Sequence, residues 1–338
     1  MKLPILKLRK DQERRILAGH LWIYSNEIDT RETPLRQFSP GQQVAIHTHR
    51  NKWIAHAYIN PRSLICARVV SRHPTETLDE ALLTKRISNA LALRERLFDN
   101  RCYRLVYGES DLLPGLVVDR FGDYLSLQIT TAGMETLLEQ IIGVLEQLLK
   151  PAGILLRNDT SVRELEGLEQ SVSVARGDIP GRVRVEENGT QFETSLTEGQ
   201  KSGWFYDQAE NRARLARFGV PNRVLDVCSY VGAWGVQAAV AGAETAAATA
   251  TIASPPARAR STTRASASRA AETGTGLAQP IRNPVKLSMS RGTRMVPTGS
   301  MCGIGLKMIR PSWRAVESPR RSATHPCAAS CTATAKTR

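Results

Sequence analysis

The chain has 338 residues, a formal net charge of +14 and 41% hydrophobic residues, enough length for two or three domains with cores of their own. No run of 18 apolar residues offers a membrane span, and Met1 to Arg15 lacks the apolar stretch of a secretory leader. Six scattered cysteines (Cys66, Cys102, Cys228, Cys302, Cys327 and Cys331) form no C-x-x-C pair, which argues against structural zinc and disulfides and for a reducing, cytoplasmic setting.

Residues 1–72 read as a small β-domain. A short helix opens at Arg14-Arg15 and leads through His20 to the aromatic residues Trp22 and Tyr24. Three β-rich segments follow, Val44–Ile46, Lys52–Ala57 and Leu64–Val70, separated by Gly, Asn and Pro turns. Ile65, Ala67 and Val69 alternate as a half-buried strand would.

Residues 73–190 read as an α+β domain. Thr77-Leu-Asp-Glu80 has the form of a capping box, opening a helix whose Leu83, Ile87, Ala90, Leu91 and Arg94 share one face. Between Tyr103 and Gln128 the pattern gives two strands joined at Arg120-Phe-Gly-Asp123, with Leu125, Leu127 and Ile129 on one side. Apolar residues from Met134 to Leu149 recur at helical spacing until Pro151 and Gly153 stop them. Ile154–Arg157 starts another strand, and residues 158–190 form a polar connector with one hairpin at Glu187-Asn-Gly189. Glu109, Asp111 and Asp119 stand at turn positions beside Pro114-Gly115, where acids are structural rather than metal ligands.

From residue 191 the chain builds toward its most informative stretch. Phe192–Leu196 reads as a strand, and Arg223 to Ala233 as a buried strand, a turn and a helix start, with Val224, Leu225 and Val227 as the apolar run. Asp226, Ser229 and Gly232 place an acid, a hydroxyl and a glycine where strand becomes helix, a turn that leaves backbone N–H groups free. The helix runs to Ala241 and stops at Gly242. G-x-G-x-x-G is absent, so this is not the dinucleotide fingerprint.

Residues 245–338 differ from everything before them. They hold 15 of the 46 Lys and Arg but only 2 of the 32 acids, so this segment carries +13 and the first 244 residues +1. Ala, Ser and Thr make up 42 of its 94 residues, while Leu, Ile, Val and Phe number 10, too few for a core. It reads either as a disordered basic tail able to hold RNA by counterion release or, more sharply, as text translated out of frame.

The pattern V-L-D-x-x-S-Y-x-G over Val224–Gly232 resembles the first nucleotide-binding motif of class I S-adenosylmethionine-dependent methyltransferases. Together with Gly199-Gln-Lys-Ser-Gly-Trp-Phe-Tyr-Asp-Gln208 and Asn211-Arg212, it resembles the large-subunit ribosomal RNA methyltransferase I family, which makes 5-methylcytosine. The resemblance implies a PUA-like RNA-binding barrel over 1–72, a middle domain over 73–190 and the start of a Rossmann-like methyltransferase domain over 191–244. It implies S-adenosylmethionine as cofactor and ribosomal RNA as partner. Asp226, Ser229, Tyr230 and Gly232 would line the donor pocket, with Phe205, Asp207 and Gln208 bordering it. Arg14, Arg15, His20, Trp22 and Lys201 would meet RNA, although Trp22 and Tyr24 read more readily as core and the arginines as a solvated face.

The resemblance ends near Glu244. The acid closing the second strand, the Asp-Pro-Pro loop and the Thr-x-Ser-Cys segment with the nucleophile have no counterpart in residues 245–338. No catalytic residue is therefore assigned, Cys228 belongs to the donor turn, and the methyltransferase domain reads as truncated and inactive. The alternative is a non-catalytic RNA-binding protein using the barrel and the basic tail. A third reading keeps the methyltransferase and changes its target, since a donor turn does not specify the acceptor.

Overall fold

The computed structural model describes residues 3–217, 223–227, 229–243 and 245–248. Cys228 and all of residues 249–338, including Cys302, Cys327 and Cys331, lie outside the described residues.

The first unit is a five-stranded sheet in the order β1-β3-β4-β5-β2, from β1 (Ile5–Lys7), β2 (Trp22–Ile23), β3 (Gln43–His47), β4 (Trp53–Ile59) and β5 (Ala67–Ser71). The expected short helix is α1 (Glu13–Leu17), which sends Ile16 into a core with Leu6, Ile23, Ile46 and Ile59. The half-buried alternation expected of Ile65, Ala67 and Val69 does not hold. Ile65 precedes the strand, and all five residues of β5 are buried. Ala67 and Val69 enter the barrel core while Val70, from the opposite face, enters the next one; in β4, Ala57 and Ile59 divide from Tyr58 in the same way.

Polar groups lock this junction. The Tyr58 hydroxyl donates to the Pro114 carbonyl (2.8 Å), and its ring lies where a Cβ on Gly133 would have to go. Glu166 takes Arg68 Nη1 on one carboxylate oxygen (2.9 Å) and Asn60 Nδ2 on the other (2.7 Å).

The middle domain is a second five-stranded sheet, ordered β10-β9-β8-β7-β6, with α2 (Glu80–Leu97) and α4 (Leu138–Leu149) on one face. Its strands are β6 (Cys102–Tyr107), β7 (Leu116–Phe121), β8 (Tyr124–Ile129), β9 (Gly153–Arg157) and β10 (Val172–Gly177). The hairpin at Arg120–Asp123 forms as expected, and Leu125, Leu127 and Ile129 are buried together. Four expectations change. The two expected strands are three, because a helical turn at Gly108–Asp111 separates β6 from β7. The cap of α2 is Asp79 rather than Thr77, its carboxylate accepting from Leu82 N (2.9 Å). The single helix from Met134 breaks into α3 (Ala132–Glu135) and α4, where Thr136 Oγ1 turns back to Gly133 O. The polar connector contains α5 (Val162–Leu165) and the edge strand β10, whose exposed Val172 and Val174 hid it from a periodicity argument. Asp119, read as a turn acid, lies mid-strand and is fully buried against Arg104.

The third part starts with the hairpin β11 (Val183–Glu187) and β12 (Thr190–Thr194), turned at Asn188 (φ 52°) and Gly189 (φ 72°) as Asn-Gly favours. Strand β12 ends at Thr194, so the strand expected over Phe192–Leu196 is the return arm of that hairpin. After α6 (Ala209–Arg217) come β13 (Arg223–Asp226), α7 (Ala233–Val240) and β14 (Thr245–Ala248), a parallel β-α-β unit. Its second strand begins where the sequence put the start of the tail. The apolar run of β13 was expected to be covered on both faces; instead Leu225 is 64% and Val227 63% exposed. A parallel strand is buried twice over only when helices cover both faces of its sheet. Among the described residues, β13 has α7 against one face and β14 along one edge.

The junction yields a stability test. Glu166→Ala leaves the Arg68 guanidinium buried without its counter-ion, and the loss should be about 3 kcal/mol in urea unfolding. Barrel and middle domain should then unfold in separate steps.

Candidate functional site

The turn after β13 carries the geometry. Asp226 is buried and its carboxylate accepts from Gly235 N (3.0 Å), capping α7 from inside rather than facing a ligand. Gly232 (φ 76°) is the N-cap of α7, and its N–H closes a tight turn onto Ser229 O (2.7 Å). Tyr230 adopts the left-handed conformation (φ 54°), costly for a residue with a Cβ. Its hydroxyl offsets that cost by accepting from Gln200 N (3.1 Å) and donating to Gly203 O (3.2 Å). The turn is thereby tied to the loop over residues 195–203.

That loop is held from the middle domain. Arg157 of β9 donates to the carbonyls of Leu196 and Gly199, and Ser202 donates to Asp119, itself bound by Arg104 through two bonds of 2.8 and 3.0 Å. Beyond the loop, Glu187 at the end of β11 gathers the rest. Its carboxylate accepts from Trp204 Nε1 (2.8 Å), Arg212 Nε (2.5 Å) and Nη2 (2.7 Å), and Gln237 Nε2 (2.9 Å). The Arg212 guanidinium also sits between the rings of Trp204 (5.3 Å) and Trp234 (5.9 Å).

These contacts enclose a cleft of about 350 Å³. Lys201, Phe205, Asp207, Gln208, Ser229 and Tyr230 all line it, so six of the residues singled out from sequence are brought together, Lys201 among them. Lys201 Nζ lies 4.6 Å from the centre of the Phe205 ring. Asp226 and Gly232 are not on the wall; they shape the turn that makes it. Val231 and Ala233, at the open amino end of α7, complete one side. A cleft with an aromatic wall, a helix amino terminus and one exposed carboxylate suits a small polar ligand.

The other candidates lie on the barrel. Arg14 is exposed and pairs with Asp11 (3.6 Å). Arg15 pairs with Glu27 (2.8 Å) and lies over the Tyr24 ring (5.2 Å). The exposed His20 lends its carbonyl to Arg72 (2.9 Å), and Trp22, 39% exposed, donates its indole N–H to Glu109 (2.6 Å). Glu109, Asp111 and Asp119 are each engaged by Trp22, Arg94 or Arg104, and among the described residues no group of three or more His, Cys, Asp or Glu is placed to hold a metal. No helix among them is long and apolar enough to cross a membrane.

Sequence reasoning missed Glu187, Trp204 and Arg212 as a unit. Trp204 and Arg212 stood in the quoted stretch and Glu187 beside the Asn-Gly turn, but no local pattern joins residues 17 and 25 positions apart.

Two measurements test this arrangement. Glu187→Ala strands the Arg212 charge beneath the cleft and should cost about 3 kcal/mol, with a loss of near-ultraviolet dichroism from Trp204 and Trp234. Asp226 behaves oppositely. Burial raises its carboxyl above the ordinary aspartate value, with the Gly235 N–H and the Arg212 charge pulling it part of the way back. Ionisation of Asp226 therefore opposes folding, and its contribution is greatest in acid and lost as pH rises through the raised value. Asp226→Asn keeps an acceptor for Gly235, so its melting temperature at pH 7 should equal or exceed the parent's, the gap closing as pH falls toward the aspartate range.

Several known proteins are similar to this chain. Residues 6–72 match a PUA-like domain family. The chain is 35% identical over 241 residues to the ribosomal RNA large subunit methyltransferase I proteins of Cronobacter sakazakii and of Escherichia coli, covering 70% of this chain and 60% of each of those proteins. It is 36% identical over 243 residues to the protein of the same name from Tolumonas auensis, with the same coverage. These proteins are homologues, and the chain spans about 60% of their length. In fold it is similar to a Streptococcus mutans protein assigned as a SAM-dependent methyltransferase (TM-score 0.60, 18% identity, 73% of this chain and 63% of that one). It is also similar to a methyltransferase candidate crystallised with SAH (TM-score 0.62, 19% identity, 73% and 62%).

Proposed function

We propose that the chain carries the front half of an S-adenosylmethionine-dependent methyltransferase site serving large-subunit ribosomal RNA, as its homologues' name indicates. The observation that carries the reading is the cleft at the carboxyl end of β13, where a parallel sheet hands over to the helix that follows.

The residues present fit one end of the cofactor. The cleft is within the usual range for a small-molecule site, and its wall offers an aromatic ring, a carboxylate and the amino end of a helix. When bound, S-adenosylmethionine supplies a methyl group on a sulfonium cation. Ser229, Tyr230 and the open end of α7 would hold its amino-acid portion; Phe205, Asp207 and Gln208 would close the opposite side. The acid expected to hold a ribose has no counterpart in β14, which reads Thr245-Ala-Ala-Ala248.

The acceptor we propose is C5 of a cytosine. That carbon is a poor nucleophile until a thiolate adds to C6, and a base must afterwards take the C5 proton. Neither described cysteine is suited to that attack. Cys66 is buried in the barrel core with its thiol pushed up to about 12, and burial also raises Cys102. We read the chain as it stands as a weak donor binder that does not complete the transfer.

Saturation-transfer NMR of S-adenosylhomocysteine with the full chain should show binding on the order of 1 mM, about −4 kcal/mol. Phe205→Ala should abolish it. No binding at several millimolar, or binding indifferent to Phe205→Ala, would remove the donor site from this cleft; methyl transfer to ribosomal RNA by the purified chain would overturn the reading of it as inactive.

A further inference from the structure

The middle-domain sheet has one face under α2 and α4, and its other face is graded in three rows. In the lowest, Cys102, Phe121 and Tyr124 lie in register and pack under the hairpin and Trp204. In the next, Arg104, Asp119 and Ser126 lie in register, and Asp119 anchors Ser202. The top row is Tyr107, Val117 and Gln128, in register across β6, β7 and β8, and nothing covers it fully. Tyr107 is 55% exposed, with the Arg104 guanidinium 5.2 Å from its ring centre. Among the described residues no partner bonds the Gln128 carboxamide.

This row is the floor of a second cleft, about 600 Å³, which shares Lys201, Trp204, Phe205 and Asp207 with the cleft at Tyr230. A third, about 460 Å³, shares Tyr107 and Val117 with the second and reaches Trp22 on the barrel. Three adjoining hollows thus present Trp22, Tyr107 and Phe205 in succession.

We propose that these hollows form a track for a single strand of RNA, with Tyr107, Val117 and Gln128 as its base-reading platform one nucleotide short of the cleft at Tyr230. The inference rests on the methyltransferase reading and names where its acceptor lies. Strands in a sheet are spaced about 4.8 Å, so Tyr107 and Gln128 stand roughly 10 Å apart across Val117. That gap admits one planar base stacked on the phenol ring with its edge toward the carboxamide, which offers both a donor and an acceptor. Lys201, which makes no ion pair among the described residues, stands at the exit to take a phosphate.

The test uses the full chain and a fluorescein-labelled single-stranded RNA nonamer carrying 4-thiouridine. Irradiation should place an adduct on the peptide containing Tyr107. In anisotropy titrations Tyr107→Ala should weaken binding roughly tenfold, Tyr107→Phe should restore it, and Gln128→Leu should change the order of preference among oligo-C, oligo-U and oligo-A. Adducts confined to residues 245–338 or to the segment from Arg14 to His20, or unchanged affinity in both Tyr107→Ala and Gln128→Leu, would overturn the proposal. So would a concentration-dependent dimer abolished by Leu97→Glu with RNA binding intact, which would make the groove a protein interface. S-adenosylhomocysteine binding is read separately in both variants: donor binding with no effect of either substitution on RNA sinks the track alone, and the reverse sinks the donor cleft alone.

Discussion

A single buried carboxylate sets the shape of the candidate site. Glu187 comes at the end of β11, immediately before two left-handed residues, so the Asn188-Gly189 turn fixes where its side chain must go. Four N–H bonds converge on it from three segments: the loop at Trp204, helix α6 at Arg212 and helix α7 at Gln237. Asn188 extends the clamp to Gln237 Oε1 (2.9 Å) and to the Ala209 carbonyl (3.0 Å). Burying a charge this completely is tolerable only when every acceptor site is filled, which gives the arrangement little latitude. The contribution is therefore mainly one of position.

Against that clamp the cleft stores strain. Tyr230 and Lys201 both adopt left-handed backbone conformations without being glycine, and both line the same cleft. Each is held by contacts from elsewhere: Tyr230 through its hydroxyl, Lys201 through neighbours pinned by Arg157 and Asp119. Local preference would relax both, and tertiary contacts prevent it. The middle domain thus anchors the loop that lines the cleft without lining the cleft itself.

How far the sequence revealed this depended on whether the signal was local. The turn from Asp226 to Gly232 and the Asn-Gly hairpin were legible because glycine, asparagine and the strand-to-helix spacing act within a few residues. Six residues that the structure gathers along one cleft were grouped through family resemblance rather than through periodicity. What stayed hidden was non-local. Glu187 and Arg212 carry no mutual signature, β10 exposes its valines, and the break at Thr136 lies inside an unbroken apolar pattern. The exposure of Leu225 and Val227 was misjudged because an apolar run reports what a strand would bury, while the layers available decide what it does bury.

The two-faced strands β4 and β5 bear on how such a protein can be taken apart. Tyr58 and Val70 belong to the middle-domain core although their neighbours in sequence, Ala57, Ile59 and Val69, belong to the barrel. A cut after residue 72, where the β-domain read from the sequence and the PUA-like match both end, would strip Tyr58 and Val70 of the surface they pack against and leave Arg68 without Glu166. The recognisable module and the unit that folds are therefore not the same length of chain. Shuffling the barrel onto another protein would require its new neighbour to supply an equivalent apolar seat and an equivalent acid.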